Sequence, residues 1–351
     1  MLDLIVVGGG PIGCYLAKEF SDKGLEVLVL EEHKNIGEPL GCSGHVSNLI
    51  WNFIPKKDDI IENEIKGAKV HLRDESYKFE KENIHSYVVS RIKLDKYMAK
   101  MAKEAGVDIL YSHEVKEVFD TDSHVTIYAK NENHMKNFKS KMVAGCDGVY
   151  SQVRKSVGGS PKKILKGLFC YIDRTDSEDY VELYPNRTRD FFAWKIPRGS
   201  KVEYGLASEY TKENYKNLME LLGDDGVNKK DIIGFHSGGI PIGLAKKIAS
   251  GRIFLLGDAA GTVKPFTGGG IIYGLVSAKI ASKHIKINEP KSLRKYEKDV
   301  KEFLKYNIRC GKIISEFYKL PGSLQKLILD ISNNKIIDFH MDKPSEILPF
   351  L

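Results

Sequence analysis

The sequence predicts an α/β fold: a Rossmann-like nucleotide-binding domain, an antiparallel β-sheet domain inserted into it, and a short C-terminal helical region. Three observations carry this expectation. The chain opens on strand-like Leu4-Ile5-Val6-Val7, then Gly8-Gly9-Gly10-Pro11-Ile12-Gly13, a helical stretch, and Val27-Leu28-Val29-Leu30-Glu31, a complete β-turn-α-β fingerprint. Aromatic-bearing strands fill residues 165–239, and a buried strand, Ile253-Phe254-Leu255-Leu256, returns after them with a glycine-rich turn. A length of 351 residues suits roughly two domains.

Within the fingerprint, Gly8 permits the tight turn, Gly10 lets the backbone approach a pyrophosphate, and Gly13 lets the helix lie close on the strand. Pro11 and Ile12 begin that helix, whose free N–H groups face phosphate charge. Glu31, followed by Glu32, ends the second strand, placed to accept hydrogen bonds from an adenosine ribose. Residues 35–52 are rich in glycine and turn formers and read as a functional loop. Residues 68–72 and 77–79 alternate like strands that leave the nucleotide domain, and 90–105 reads as a helix with Leu94, Tyr97, Met98 and Met101 on one face. A strand at 107–110 precedes an antiparallel meander over 113–143. Strands are expected at 169–172, 180–184, 191–196 and 202–207, with helices at 212–222 and 270–284. From about residue 290, Lys and Glu alternate with apolar residues at helical spacing. The expected division is a discontinuous nucleotide domain of 1–66, 88–160 and 240–289, a β-rich substrate domain of 67–87 and 161–239, and helices over 290–351.

Composition is ordinary, 42% apolar and 29% charged, and no run of apolar residues is long enough to span a bilayer. The first strand begins almost at Met1 with no leader-like segment, and the five cysteines are scattered without metal-ligand spacing. A reducing cytoplasm and no structural metal are the expectation. The formal charge of +7 permits attraction to phosphates or lipid headgroups and gives no reason to expect nucleic acid.

Two further constellations narrow the cofactor. Ala144-Gly145-Cys146-Asp147-Gly148, followed by Ser151 and Arg154, ends a strand and begins a helix; Gly257-Asp258-Ala259-Ala260-Gly261, then Pro265 and Gly268-Gly269-Gly270-Ile271, follows the buried strand. In this order, after the fingerprint, they resemble FAD-dependent proteins of the aromatic-hydroxylase superfamily. The resemblance implies that Asp258 bonds the ribityl chain of FAD, that Asp147 and Gly148 close over the pyrophosphate region, and that Arg91 lies near phosphates and ribityl. Alone, either aspartate reads more simply as a helix cap. A helix starting near Gly269 also offers partial positive charge to reduced flavin, an anion whose charge sits on its pyrimidine edge.

The stretch from Gly257 to Gly274, with Pro265-Phe266-Thr267-Gly268-Gly269-Gly270 at its centre, tightens the resemblance to the geranylgeranyl reductases, in particular the archaeal type that saturates isoprenoid chains of membrane lipids. The loop Ile36-Gly37-Glu38-Pro39-Leu40-Gly41-Cys42-Ser43-Gly44-His45 resembles that family's cysteine-containing loop. Phe192-Ala193-Trp194-Lys195-Ile196-Pro197 partly matches its aromatic motif, keeping Trp194 and Pro197. The implied reaction adds a hydride from flavin N5 and a proton across an isolated alkene, in a water-poor site. Phe191, Phe192, Trp194 and Tyr204 then line an apolar channel, or equally are ordinary sheet core. Cys42 is a candidate proton donor or shaping residue, with inert buried cysteine as its alternative, and His45 a candidate acid, with a backbone-satisfied loop histidine as the other reading.

Lys246, Lys247, Lys264, Arg198 and Lys201 are candidates for a lipid phosphate, solvated surface being the simpler reading for all but Lys264. The terminal helices pack on their own domain or rest peripherally on the inner face of an anionic membrane. The electron donor is open among ferredoxin, reduced deazaflavin, a dithiol and NAD(P)H, because no second fingerprint is present. A flavin monooxygenase acting on an aromatic or polycyclic substrate is the alternative enzyme, separated by its need for oxygen.

Overall fold

A computed structural model describes residues 1–72, 75–159, 163–332 and 340–343. Strand Leu2–Val7 is the pivot of an eight-stranded sheet, with Val27–Leu30 and then Asp108–Leu110 parallel on one side, and His134–Gly145 and then Ile253–Leu255 parallel on the other. All four residues of Val27–Leu30 and all three of Ile253–Leu255 are buried, which is why they read as unbroken apolar runs rather than alternating ones. The N-terminal half of His134–Gly145 pairs instead with Val125–Asn131, which pairs with Glu114–Asp120, so the meander expected over 113–143 is an extension of this sheet.

Helix Pro11–Ser21 covers one face with Cys14, Tyr15, Leu16, Ala17 and Phe20 buried. Helix Arg91–Glu104 begins where the Ser90 hydroxyl accepts from the Lys93 N–H, and buries Leu94, Met98 and Ala102 at four-residue intervals. Tyr97 and Met101, expected on the same stripe, lie at its margin, half-buried against the core.

The second layer is a seven-stranded sheet. Its order is Ile232–Ile242, Lys163–Ile172, Val202–Ser208, Ala193–Pro197, Tyr180–Tyr184, Gly67–Leu72, Glu75–Glu80. Gly67–Leu72 joins parallel to Tyr180–Tyr184, so two segments far apart in the chain build one sheet. One face packs on helix Asn214–Asp224 through Tyr204, Leu206, Leu218, Leu221 and Leu222. The other carries Phe169, Tyr171, Trp194 and Ile196 and faces the nucleotide layer through Val88 and Leu40. The sequence reading contained no small sheet, yet His45–Ser47, Ser86–Val89 and Ile61–Ile65 form one between the two layers. Half of the loop assigned to 35–52 is thus regular structure.

One side chain ties these parts together. Arg198, at the turn after Ala193–Pro197, is almost fully buried and donates to the Ser43 carbonyl, the Val89 carbonyl (3.0 Å), Glu62 (2.6 Å) and Glu203 (2.9 Å). Glu203 also accepts from the Trp194 indole at 2.8 Å. Burial pushes the Glu203 carboxyl up, and the adjacent Arg198 opposes it. Arg198 is therefore no phosphate receptor: its donors are spent inside the protein.

Removing one partner of such a buried pair strands the other, at a cost of about 3–5 kcal/mol. Arg198→Ala is expected to lose stability of that order in urea titrations followed by circular dichroism. Glu203→Gln, which still accepts from Trp194, is expected to lose clearly less.

Candidate functional site

The parallel register aligns Val7 with Leu30 on one side and with Gly145 on the other, and Gly145 with Leu255. Gly8, Glu31, Asp147 and Asp258 are therefore delivered to one edge of the sheet, at the switch point where strand order reverses. Gly8 lies at φ +100°, and a Cβ there would collide with the Cys146 carbonyl; a Cβ on Gly13 would collide with the Gly8 carbonyl. At Gly10, by contrast, an added Cβ meets nothing within 4 Å, so open space lies before the first turn of helix Pro11–Ser21. That helix has Pro at its start, no side-chain cap and no acid in its first turn. Helix Ile271–His284 starts the same way after Gly270, without cap or acid. Two free sets of N–H donors thus point at the same edge, a setting suited to anionic groups. Ile12 packs at the faces of Gly257 and Gly274, holding the two helix starts together.

The acidic residues divide by role. Glu31 accepts from the Gly9 N–H at 2.6 Å and from the His33 backbone and ring at 2.9 and 2.7 Å, so it fastens the glycine turn as well as facing the edge. Glu32 is exposed beside it, its carboxyl pushed up by partial desolvation. Asp147 accepts from the Ser151 hydroxyl (2.6 Å) and the N–H groups of Gln152 (2.7 Å) and Val153 (3.1 Å). Its carboxylate caps the start of the short helix Val153–Ser156. Gly148 follows at φ +71° with open space around it. Asp258 differs: among the described residues nothing donates to its carboxylate. Burial raises it to about 6, against the pull of Arg91 and Arg154. Arg154 donates instead to the carbonyls of Ala259 and Val149. Arg91 is clamped by Asp95 through two bonds of 3.1 and 3.0 Å, and the loss of solvent that would make it shed its proton more easily is outweighed by Asp95 and Cys42 beside it.

The loop carrying Cys42 crosses between the layers. Gly41 packs on Gly238 of the second sheet, and Gly44, at φ +72°, sits against the Val89 carbonyl and Arg91. The half-exposed Cys42 thiol accepts weakly from the Gly44 N–H at 3.5 Å. His45 bonds the Ser86 hydroxyl at 2.8 Å. Loss of solvent, then Lys264, His85 and Arg198, push its imidazole down to about 3, so at neutral pH it holds no imidazolium proton to donate. This counts against His45 as an acid.

On the facing sheet, Phe191 and Phe192 stack at 4.3 Å, Phe192 meets Trp194 edge-on at 6.0 Å, and Tyr318 closes on both phenylalanines at 5.8 and 5.3 Å. The cluster abuts the Gly268 turn, where an added Cβ would lie 3.3 Å from Phe191. Pro197 ends the same strand, buried. Tyr204 does not belong here. It lies on the opposite face, hydrogen-bonded to Asp225 among the residues of helix Asn214–Asp224, because the ladder pairs Trp194 with Gly205 and Tyr204 with Lys195. Tyr318 and Phe169 join the cluster without having been foreseen. Phe169 shares strand parity with Tyr171, a readable signal, whereas Tyr318 comes from the short turn Phe317–Lys319 and carries none. Lys264 is buried against Asp342, and Lys246 and Lys247 are exposed. Among the described residues no cluster of His, Cys, Asp or Glu is arranged to hold a metal ion, and no helix is long and apolar enough to cross a membrane.

Comparison with known proteins agrees with this geometry. Residues 55–281 match a family model described as an FAD binding domain, and residues 6–45 match an NAD(P)-binding Rossmann-like domain. The digeranylgeranylglycerophospholipid reductase of Thermoplasma acidophilum is 30% identical over 365 residues, covering 95% of this chain and 92% of that protein. The crystal structure of a geranylgeranyl bacteriochlorophyll reductase-like protein from the same organism superposes with a TM-score of 0.90 at 26% identity, over 99% of this chain and 95% of that one. The p-nitrophenol 4-monooxygenase of Pseudomonas putida superposes at 0.80 with 17% identity, over 99% and 96%, a likeness of fold alone. Fold and site together define an FAD-dependent oxidoreductase. Within that class, the chain belongs to the geranylgeranyl reductase family.

The partnerless Asp258 makes a pH-dependent prediction. Its folded-state value lies above the unfolded one, so the fold binds this proton more tightly, gains from it as pH falls from 6 toward 4, and is penalised above 6. FAD-free Asp258→Asn is expected to exceed the parent in stability by about 2–3 kcal/mol at pH 7.5 in urea titrations, an advantage narrowing toward pH 5. The same variant is expected to bind FAD more weakly.

Proposed function

We propose that this protein saturates C=C bonds in the geranylgeranyl chains of an archaeal-type glycerophospholipid precursor. The observation that carries the reading is the aromatic wall of Phe191, Phe192, Trp194 and Tyr318 set directly against the Gly268 turn. An isoprenoid chain presents only apolar surface and an unpolarised alkene. What it needs from the protein is contact area, orientation and exclusion of water beside the cofactor. FAD, when bound and reduced, supplies the hydride.

In this reading Gly8, Gly10, Pro11, Ile12 and Gly13 carry the pyrophosphate on the first helix start, with Glu31 and Glu32 toward the adenosine. Arg91 and Asp258 hold the ribityl side, the partnerless carboxylate of Asp258 accepting from a hydroxyl. The turn Gly268-Gly269-Gly270-Ile271 receives the pyrimidine edge, with Gly257 and Pro265 shaping it, and Gly148 leaves room at the pyrophosphate. The chain lies against Phe192 and Trp194, and Leu40 and Gly41 bring the Cys42 thiol to the reacting end, where it holds the proton for the second carbon. Phe317–Lys319, through Tyr318, closes the far wall.

The enzyme's lipid substrate implies a surface for meeting it. On helices Leu293–Glu316 and Gly322–Ser332 the side chains of Tyr306, Ile313, Leu327 and Ile331 are each more than half exposed, among exposed Lys305, Arg309 and Lys312. We propose that this face rests peripherally on an anionic bilayer. Vesicles containing anionic lipid are expected to sediment the protein at low salt, and Leu327→Glu with Ile331→Glu to abolish this; sedimentation unchanged by that pair would overturn the docking face.

The function itself is tested without oxygen. Dithionite-reduced enzyme mixed with geranylgeranyl lipid is expected to reoxidise with a gain of two mass units per bond in the product. Cys42→Ala is expected to slow this at least about 100-fold if the thiol delivers the proton, and Phe192→Ala to raise KM with FAD content unchanged. Reoxidation that waits for oxygen and yields a hydroxylated aromatic would sink the reductase reading.

A further inference from the structure

Lys264 occupies an unusual place for a cation. Its backbone closes the turn before helix Ile271–His284, accepting from the Gly268 N–H at 2.9 Å and donating to the Gly269 carbonyl at 3.1 Å. Its ammonium lies so close to Gly269 that an added Cβ there would come within 3.1 Å of it. The charge is 4% exposed and paired at 2.6 Å with Asp342, itself 3% exposed. Asp342 reaches this point from the far end of the chain, and its backbone carbonyl accepts from Tyr273 OH at 3.0 Å, fixing the turn His340–Lys343 on the first coil of the same helix. The second carboxylate oxygen of Asp342 and the hydroxyl of Ser47 are both buried, and Ser47 bears on this same carboxylate. Desolvation pushes the Asp342 carboxyl up, but Lys264 outweighs it and keeps it ionised.

We propose that Lys264 and Asp342 are a tuning pair that sets the reduction potential of FAD, the C-terminal turn supplying the negative half. The inference rests on the reading that the pyrimidine edge lies at Gly268–Ile271. Taking up two electrons and one proton leaves the flavin with one net negative charge at that edge. Unpaired, Lys264 would stabilise this anion strongly in so dry a place and weaken the flavin as a hydride donor. Asp342 cancels that charge and keeps the cofactor strongly reducing, as addition to an unpolarised alkene requires. Because the carboxylate arrives on a separate turn, docking of that turn and reducing power are coupled.

The test is the midpoint potential of the FAD-loaded enzyme, measured anaerobically against a reference dye with xanthine oxidase and xanthine supplying the electrons. Asp342→Asn is expected to raise the potential, Lys264→Met to lower it, and the double variant to return it toward the parental value. Lys279→Met, which removes an exposed cation from the same helix, is expected to leave it unchanged. Affinity for sulfite, whose flavin adduct also leaves negative charge at this edge, is expected to follow the same signs and gives a second readout if one single variant loses stability. Thr267→Asp adds a carboxylate to the turn and tests the placement itself. If Thr267→Asp lowers the potential while the pair variants shift it in one common direction or not at all, the tuning role is overturned. If none of them moves it in a protein that remains yellow, the placement of the pyrimidine edge fails, and the proposal with it.

Discussion

The arrangement depends on a buried guanidinium. Arg198 gathers a carbonyl from the Cys42 loop, a carbonyl from the small central sheet, and two carboxylates into one node, and through Glu203 it orients Trp194. Each donor direction of the planar fork is used, which is why a lysine would not substitute. Without this node the aromatic face of the second sheet has no fixed relation to the glycine edge of the first. Burying the charge is expensive, and the expense is offset only because the partners are complete.

Against that rigid joint, the glycine edge is defined by what it leaves undone. Two helices begin there without side-chain caps, one carboxylate has no donor among the described residues, and open space lies at Gly10 and Gly148. Brought together at one sheet edge, these features suit a polar, anionic ligand.

How much of this was legible in the sequence follows from how local each constraint is. The glycine turns were legible because a positive φ or a close backbone approach acts within a few residues, at Gly8 and Gly13 for example. Tyr204 was misassigned because strand parity names two faces without saying which one looks inward, and the ladder register that decides it is set by partners in other strands. For Asp147 the sequence leaves helix cap and cofactor contact side by side, since both uses favour the same residue after a strand, and only the register of neighbouring N–H groups shows the cap. Lys264 reads as a phosphate candidate because Asp342, which neutralises it, lies far away in the chain, as does Glu62, one of the two carboxylates on Arg198. The three-stranded sheet was invisible for a similar reason: His45–Ser47 is too short to show a period.

Tyr318 has a consequence for how such an enzyme diversifies. Its ring completes the aromatic wall and its hydroxyl donates to the Phe266 carbonyl at 2.7 Å, yet it belongs to the helical tail and not to either sheet. The chemistry-bearing glycines and the wall's last panel are thus encoded in separate stretches of the gene. Insertions, deletions or exchange of the tail can recut the shape offered to a hydrocarbon while the redox end stays intact, so that substrate range and cofactor handling are free to evolve at different speeds.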